Sequence, residues 1–164
     1  MLETHYQGSR LHYRTLARDA YEKYIEFQAT VVNSGIDKLL FELIKIRASQ
    51  INGCAFCVNM HIKDSLALGE SQERLNMLVV WRETNLFSEK EQAALAWTEA
   101  VTNAQTAHIS DELFELMKNN FTEKEIAYID MAVVVINGWN RMAIPFRDES
   151  GKYTSTKTPL TISK

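Results

Sequence analysis

Residues 42–61 read Glu42-Leu43-Ile44-Lys45-Ile46-Arg47-Ala48-Ser49-Gln50-Ile51-Asn52-Gly53-Cys54-Ala55-Phe56-Cys57-Val58-Asn59-Met60-His61. Together with Leu39 and Leu40, the apolar residues Leu43, Ile44 and Ile46 recur at helical steps, so a helix is expected from Asp37 to about Ile51. Asn52-Gly53 breaks it, and a second helix is expected from Cys54 to Leu68, stopped by Gly69. With no proline before Pro145 to interrupt helix formation, these helices point to an all-α architecture.

The flanks extend the pattern. Upstream, Leu16, Ala20, Tyr24, Phe27 and Val31 predict one amphipathic helix over 13–32, closed by Asn33-Ser34-Gly35. Downstream, Ser88-Glu89-Lys90-Glu91 and Thr122-Glu123-Lys124-Glu125 match the capping box that opens a helix. Phe121 is set to staple onto Ile126 across the second box. The β-branched run Val133-Val134-Val135-Ile136 reads as helix on that start signal, with a buried strand as the competing reading. Both prolines, Pro145 and Pro159, lie near the C-terminus, so nothing interrupts helix formation before them. Residues 147–164 are polar and aperiodic and are expected to form an extended tail after a helical domain over 1–146, packing on a neighbouring subunit.

Ile51-Asn52-Gly53-Cys54 recurs as Ile136-Asn137-Gly138-Trp139, as a duplicated helical hairpin would produce. In that second copy Trp139 and Met142 stand where Cys54 and Cys57 do, and Ala127 stands where Glu42 does, so a duplicate has no chemistry of its own.

A chain of 164 residues with 46% hydrophobic residues suffices for one domain with one core. The net charge of -3 and the lack of a basic cluster argue against nucleic acid as a partner. The longest apolar run, Met131 to Ile136, is far short of the ~20 residues of a membrane-spanning helix. Met1-Leu2-Glu3-Thr4-His5 lacks the features of an export signal, so a cytoplasmic location is expected.

The two cysteines share one segment, which in a reducing compartment favours a chemical over a structural role. Spaced three apart, their thiols reach one another on a helical face, and His61, four residues on, joins that stripe. Asn52-Gly53 places the pair at a helix start, where free N–H groups and the helix dipole favour a thiolate. Taken singly, two cysteines can be small buried hydrophobes, a histidine a satisfied core residue and Glu42 a solvated carboxylate; their combined spacing is what points to chemistry. Arg47, beside the motif, can pair with Glu42 or with another acid, but a solvated arginine is the default.

This arrangement, a Glu followed through a helix by CxxC and then His, resembles the AhpD-like alkylhydroperoxidases of the carboxymuconolactone decarboxylase superfamily. The likeness covers a core motif over 39–68, and Asn140-Arg141-Met142-Ala143-Ile144-Pro145-Phe146 is similar to the end of many members. It implies a single-domain antiparallel helical bundle acting as a thiol peroxidase. Glu42 would be the base, its carboxyl raised by desolvation, His61 the proton carrier, and Cys54 and Cys57 the redox pair. No cofactor or metal is implied. The implied partners are a hydroperoxide, an external lipoyl-like or thioredoxin-like dithiol reductant, and further copies of the chain in a homo-oligomer. Exposure at the helix end favours Cys54 for exchange with the reductant; His61, one turn on, favours activation of Cys57. Phe56 stands where some members carry another histidine, and lines an apolar entrance or the core. Two alternatives are a carboxymuconolactone decarboxylase, a branch that generally lacks the cysteine pair, and a non-catalytic redox- or metal-responsive protein using Glu42, Cys54, Cys57 and His61.

Overall fold

A computed structural model describes residues 8–158. The reading of the first five residues and the last six positions of the tail fall outside the described residues. Among them the chain forms eight α-helices, one 3-10 segment and no strand: α1 Tyr13–Leu16, α2 Arg18–Val32, α3 Lys38–Asn52, α4 Ala55–Leu68, α5 Gln72–Met77, the 3-10 turn Leu78–Glu83, α6 Glu89–Thr102, α7 Asp111–Asn120 and α8 Glu123–Phe146.

α3 is the axis of the bundle and packs against α4, α6 and α8. Its apolar residues are dense enough to bury more than one face: Leu43, Ile44, Ile46 and Ala48 are all 0% exposed. Asp37 caps it by accepting the Leu40 N–H at 2.9 Å, and Gly53, in the left-handed region at φ 70°, ends it. The chain then turns at once into α4, with the Cys54 N–H bonded to the Ser49 carbonyl at 3.0 Å. The helix boundaries expected around the motif are therefore observed, with Cys54 as the N-cap of α4 rather than its first helical residue.

Both capping boxes form, each with the N3 glutamate returning a hydrogen bond to the cap backbone. Phe121 and Ile126 share one apolar cluster. The β-branched run is helical, with Val133, Val135 and Ile136 buried; at a few tenths of a kcal/mol per residue, its propensity penalty is small beside that burial. Helices α5 and α7 were not expected from the sequence. Ser71 and Ser110 cap them, but neither is followed by the glutamate that completes a box.

Two other expectations are corrected. The helix over 13–32 is broken at Ala17 into α1 and α2, and its stripe faces the core only in part: Leu16 is 75% exposed, while Val31 is the buried residue of α2. α2 lies at the edge, packed on α8, so most of its circumference has no neighbour. Ile136-Asn137-Gly138 does not repeat the turn made by Ile51-Asn52-Gly53 but sits within unbroken α8. Gly138 serves close approach instead: a Cβ there would lie 1.9 Å from the Tyr24 hydroxyl, which donates to the Val135 carbonyl at 2.8 Å. Among the described residues, no helix is long and apolar enough to cross a membrane.

Candidate active site

The turn from α3 to α4 brings the two cysteines together. Both are free thiols with Sγ atoms 2.8 Å apart. Neither is accessible, with exposures of 2% and 1%, so the expected exposure of Cys54 is corrected: Ile136 and Ala143 of α8 share one apolar cluster with both cysteines and cover this helix start. Cys54 is pulled down to about 7, by hydrogen bonding from the Cys57 thiol against the cost of burial, with help from the Cys57 backbone and Asn140. Cys57 is pushed up, by its hydrogen bond to Cys54, by burial and by the charge on its partner. The two sulfurs thus share one proton: the pair loses one readily and holds the second tightly.

Glu42 and His61 meet from facing helices, Glu42 Oε2 lying 2.8 Å from His61 Nδ1, both buried. The carboxylate's second oxygen accepts from Lys45 Nζ at 2.8 Å, one turn along α3. Lys45 was missed in the sequence, although its i,i+3 spacing from Glu42 was visible. Its ammonium changes the expected chemistry. Burial pushes the Glu42 carboxyl up, but His61 and Lys45 outweigh it and hold Glu42 at about 2. A carboxylate so stabilised is a poor proton acceptor, which corrects the raised value expected from desolvation alone. His61 is pushed down, chiefly by burial. A neutral imidazole beside an ionised carboxylate donates Nδ1–H to it, which leaves Nε2 as its basic nitrogen.

Cys57 and His61, but not Cys54, line a cavity of about 510 Å³. Phe56 lies on its wall together with Tyr21, Met60 and Trp139, so it borders the cavity that the apolar-entrance reading required. Arg47, by contrast, is held away in a pair with Glu99 at 2.7 Å. The polar tail closes the cavity on its own chain. Tyr153 and Ser155 donate to the buried Asp64 of α4 at 2.7 and 2.5 Å, Lys63 donates to the Tyr153 carbonyl, and Asn59 accepts the Gly151 N–H. Near the N-terminus, Tyr13 and Arg14 donate to Asp148. None of these closing contacts was legible in the sequence, because they join residues about ninety or more positions apart.

Glu42, His61 and Asp64 offer three ligand atoms within 4.8 Å of one another. Lys45 already neutralises Glu42, and two hydroxyls occupy Asp64, so a cation would enter against an ammonium and displace hydrogen bonds. Among the described residues the cysteines join no such cluster, so the four-residue metal set considered from the sequence is not assembled.

Residues 18–100 match the carboxymuconolactone decarboxylase family. The uncharacterized protein YdfG of Bacillus subtilis is 34% identical over 139 residues, 84% of this chain and 93% of that one. A shorter match, 41% over 49 residues, links the chain to alkyl hydroperoxide reductase AhpD of Rhodopseudomonas palustris, covering 30% of this chain and 27% of that protein. Among solved structures, an Agrobacterium tumefaciens protein of unknown function, for which an AhpD antioxidant-defence role has been suggested, superposes with a TM-score of 0.86 at 38% identity. That similarity covers 89% of this chain and all of the other.

Proposed function

The chain belongs to the carboxymuconolactone decarboxylase family, and from that membership we propose that it is a thiol-dependent peroxidase of the alkyl hydroperoxide reductase type. The observation that carries the reading is the free, buried Cys54–Cys57 pair, 2.8 Å between sulfurs, beside a cavity that Cys57 and His61 line.

Cys57 is the sulfur that meets the peroxide, because it faces the cavity. In the singly ionised pair the remaining proton passes from Cys57 to Cys54 across the 2.8 Å contact, and the Cys57 thiolate so formed attacks the outer peroxide oxygen; the O–O bond breaks, giving a Cys57 sulfenic acid and an alcohol. His61 Nε2 carries the proton that the pair gives up first and passes it to the leaving alkoxide, which becomes the alcohol; burial disfavours the imidazolium, so the proton is surrendered readily. Glu42, anchored by Lys45, orients the imidazole and stabilises its transient charge. Cys54 then attacks the sulfenic acid, releasing water and closing a disulfide, and an external lipoyl-like or thioredoxin-like dithiol returns the pair to thiols while becoming a disulfide itself. A cytoplasmic, reducing setting would supply that donor. A homo-oligomer is part of the proposal, supported by apolar residues left exposed on the adjacent helices α2 and α8, among them Phe27, Met131 and Val134. The dithiol itself weighs against decarboxylation.

The test is peroxide-dependent oxidation of dihydrolipoamide by wild type, Cys54→Ser and Cys57→Ser proteins. Turnover by wild type, its loss in both variants, and a sulfenic acid trapped on Cys57 in Cys54→Ser are the expected results. A wild type that oxidises once and stops would replace catalysis with a sensor, and a sulfenic acid on Cys54 would reverse the assigned roles.

A further inference from the structure

We propose that Asn140 donates a hydrogen bond from Nδ2 to the ionised Cys54–Cys57 pair, and that a relay from Arg141 through Asn137 and Asn52 locks its amide in the orientation that allows this.

Asn140 lies on α8 between Ile136 and Ala143, one turn to either side, and both of those residues belong to the apolar cluster that holds the two cysteines. It is 0% exposed. A buried amide must satisfy two donors and one acceptor within the protein, and its orientation follows from groups that can act in one sense alone. Arg141 can solely donate, and it donates to Asn137 Oδ1 at 2.8 Å. The Val133 carbonyl can solely accept, and it accepts from Asn137 Nδ2 at 2.9 Å. Asn137 is thereby fixed, so the group meeting its oxygen at 2.9 Å is the Asn52 amide nitrogen. That same nitrogen donates at 2.8 Å to Asn140, which makes the contacted atom Oδ1. Asn140 Nδ2 therefore turns to the opposite side, where one hydrogen goes to Ser49 Oγ at 3.0 Å. The other is left for the sulfurs. Hydrogen bonding from Asn140 lowers both thiols, as a donor to a thiolate does.

The relay uses both asparagines of the Ile-Asn-Gly recurrence in the sequence. Asn52 and Asn137 each carry one link, although the first stands at the end of a helix and the second within one.

The inference holds whatever electrophile the thiols attack, and its test reads the thiols directly, so it can fail without the peroxidase reading failing. The pH dependence of alkylation by iodoacetamide and of thiolate ultraviolet absorbance would be followed in wild type, Asn140→Asp, Asn52→Asp and Ser49→Ala. Asn140→Asp is isosteric but cannot donate. Asn52→Asp cannot donate to Asn140 and so releases its amide to turn over, presenting oxygen to the sulfurs. Both should raise the pair's first ionisation by about one pH unit or more, slowing alkylation at neutral pH roughly tenfold and recovering at alkaline pH. Ser49→Ala, which frees a donor without turning the amide, should leave the ionisation unchanged or lower it. A cooperatively melting Asn140→Asp or Asn52→Asp protein that titrates like wild type would overturn the proposal, as would a rise in Ser49→Ala equal to theirs.

Discussion

Replacing Lys45 by methionine removes the ammonium that holds Glu42 ionised while keeping most of the side-chain volume. Glu42 would remain buried, with 3% exposure, facing an imidazole that burial keeps neutral. Its folded value of about 2, against 4.5 for an ordinary glutamate, corresponds to about 3 kcal/mol of stability. The sign follows from the direction of the shift. A depressed carboxyl contributes fully above about pH 4.5, and the contribution is lost as pH falls through about 2. Lys45→Met should thus cost roughly 1–2 kcal/mol at pH 7, a part of the full amount, because the His61 hydrogen bond, the larger of the two influences holding Glu42 down, remains. The penalty should shrink as pH falls below 4.5, and the carboxyl in the variant should titrate higher. Urea denaturation of wild type and Lys45→Met at pH 7 and pH 4 measures this, with Glu42→Gln and the double variant completing a cycle. Under the same logic, Lys45→Met in the Glu42→Gln background should cost less than about 1 kcal/mol, since no buried anion is left unpaired. A loss below about 0.5 kcal/mol at pH 7, or a loss equal in both backgrounds, would refute the view that Lys45 joins His61 in keeping Glu42 ionised.

Gly138→Ala should destabilise by about 1–3 kcal/mol, because the new methyl meets the Tyr24 hydroxyl at 1.9 Å and must push α2 away; thermal melting should show a drop, partly restored by adding Tyr24→Phe. Tyr153→Phe removes a 2.7 Å hydrogen bond to buried Asp64, a loss of about 1 kcal/mol, and should loosen the tail so that iodoacetamide reaches Cys57 faster, with unchanged alkylation counting against the tail as a wall of the cavity. Ser88→Ala and Thr122→Ala each delete a capping-box acceptor and should lower stability by about 1 kcal/mol at neutral pH, measured by chemical denaturation.

What the sequence determined by itself is local. Helix α3, its stop at Gly53 and the start of α6 and α8 follow from apolar spacing, a left-handed glycine and serine or threonine caps, all of which act within a few residues. The candidate residues Glu42, Cys54, Cys57 and His61 were legible for the same reason: three stand in one turn and the next, and the fourth lies on the helix leading into it. Tertiary structure decided how those residues behave. Whether Glu42 is a base or an anchor depends on the balance between desolvation and the combined pull of His61 and the Lys45 ammonium, which periodicity cannot weigh. Which sulfur faces the cavity depends on α8 covering the helix start. Asn140, Asp64 and Tyr153 acquire their roles from partners about ninety residues distant, and the exposure of Leu16 depends on α2 lying at an edge. Burial and charge pairing are properties of the assembled bundle, so they cannot be read from positions along the chain.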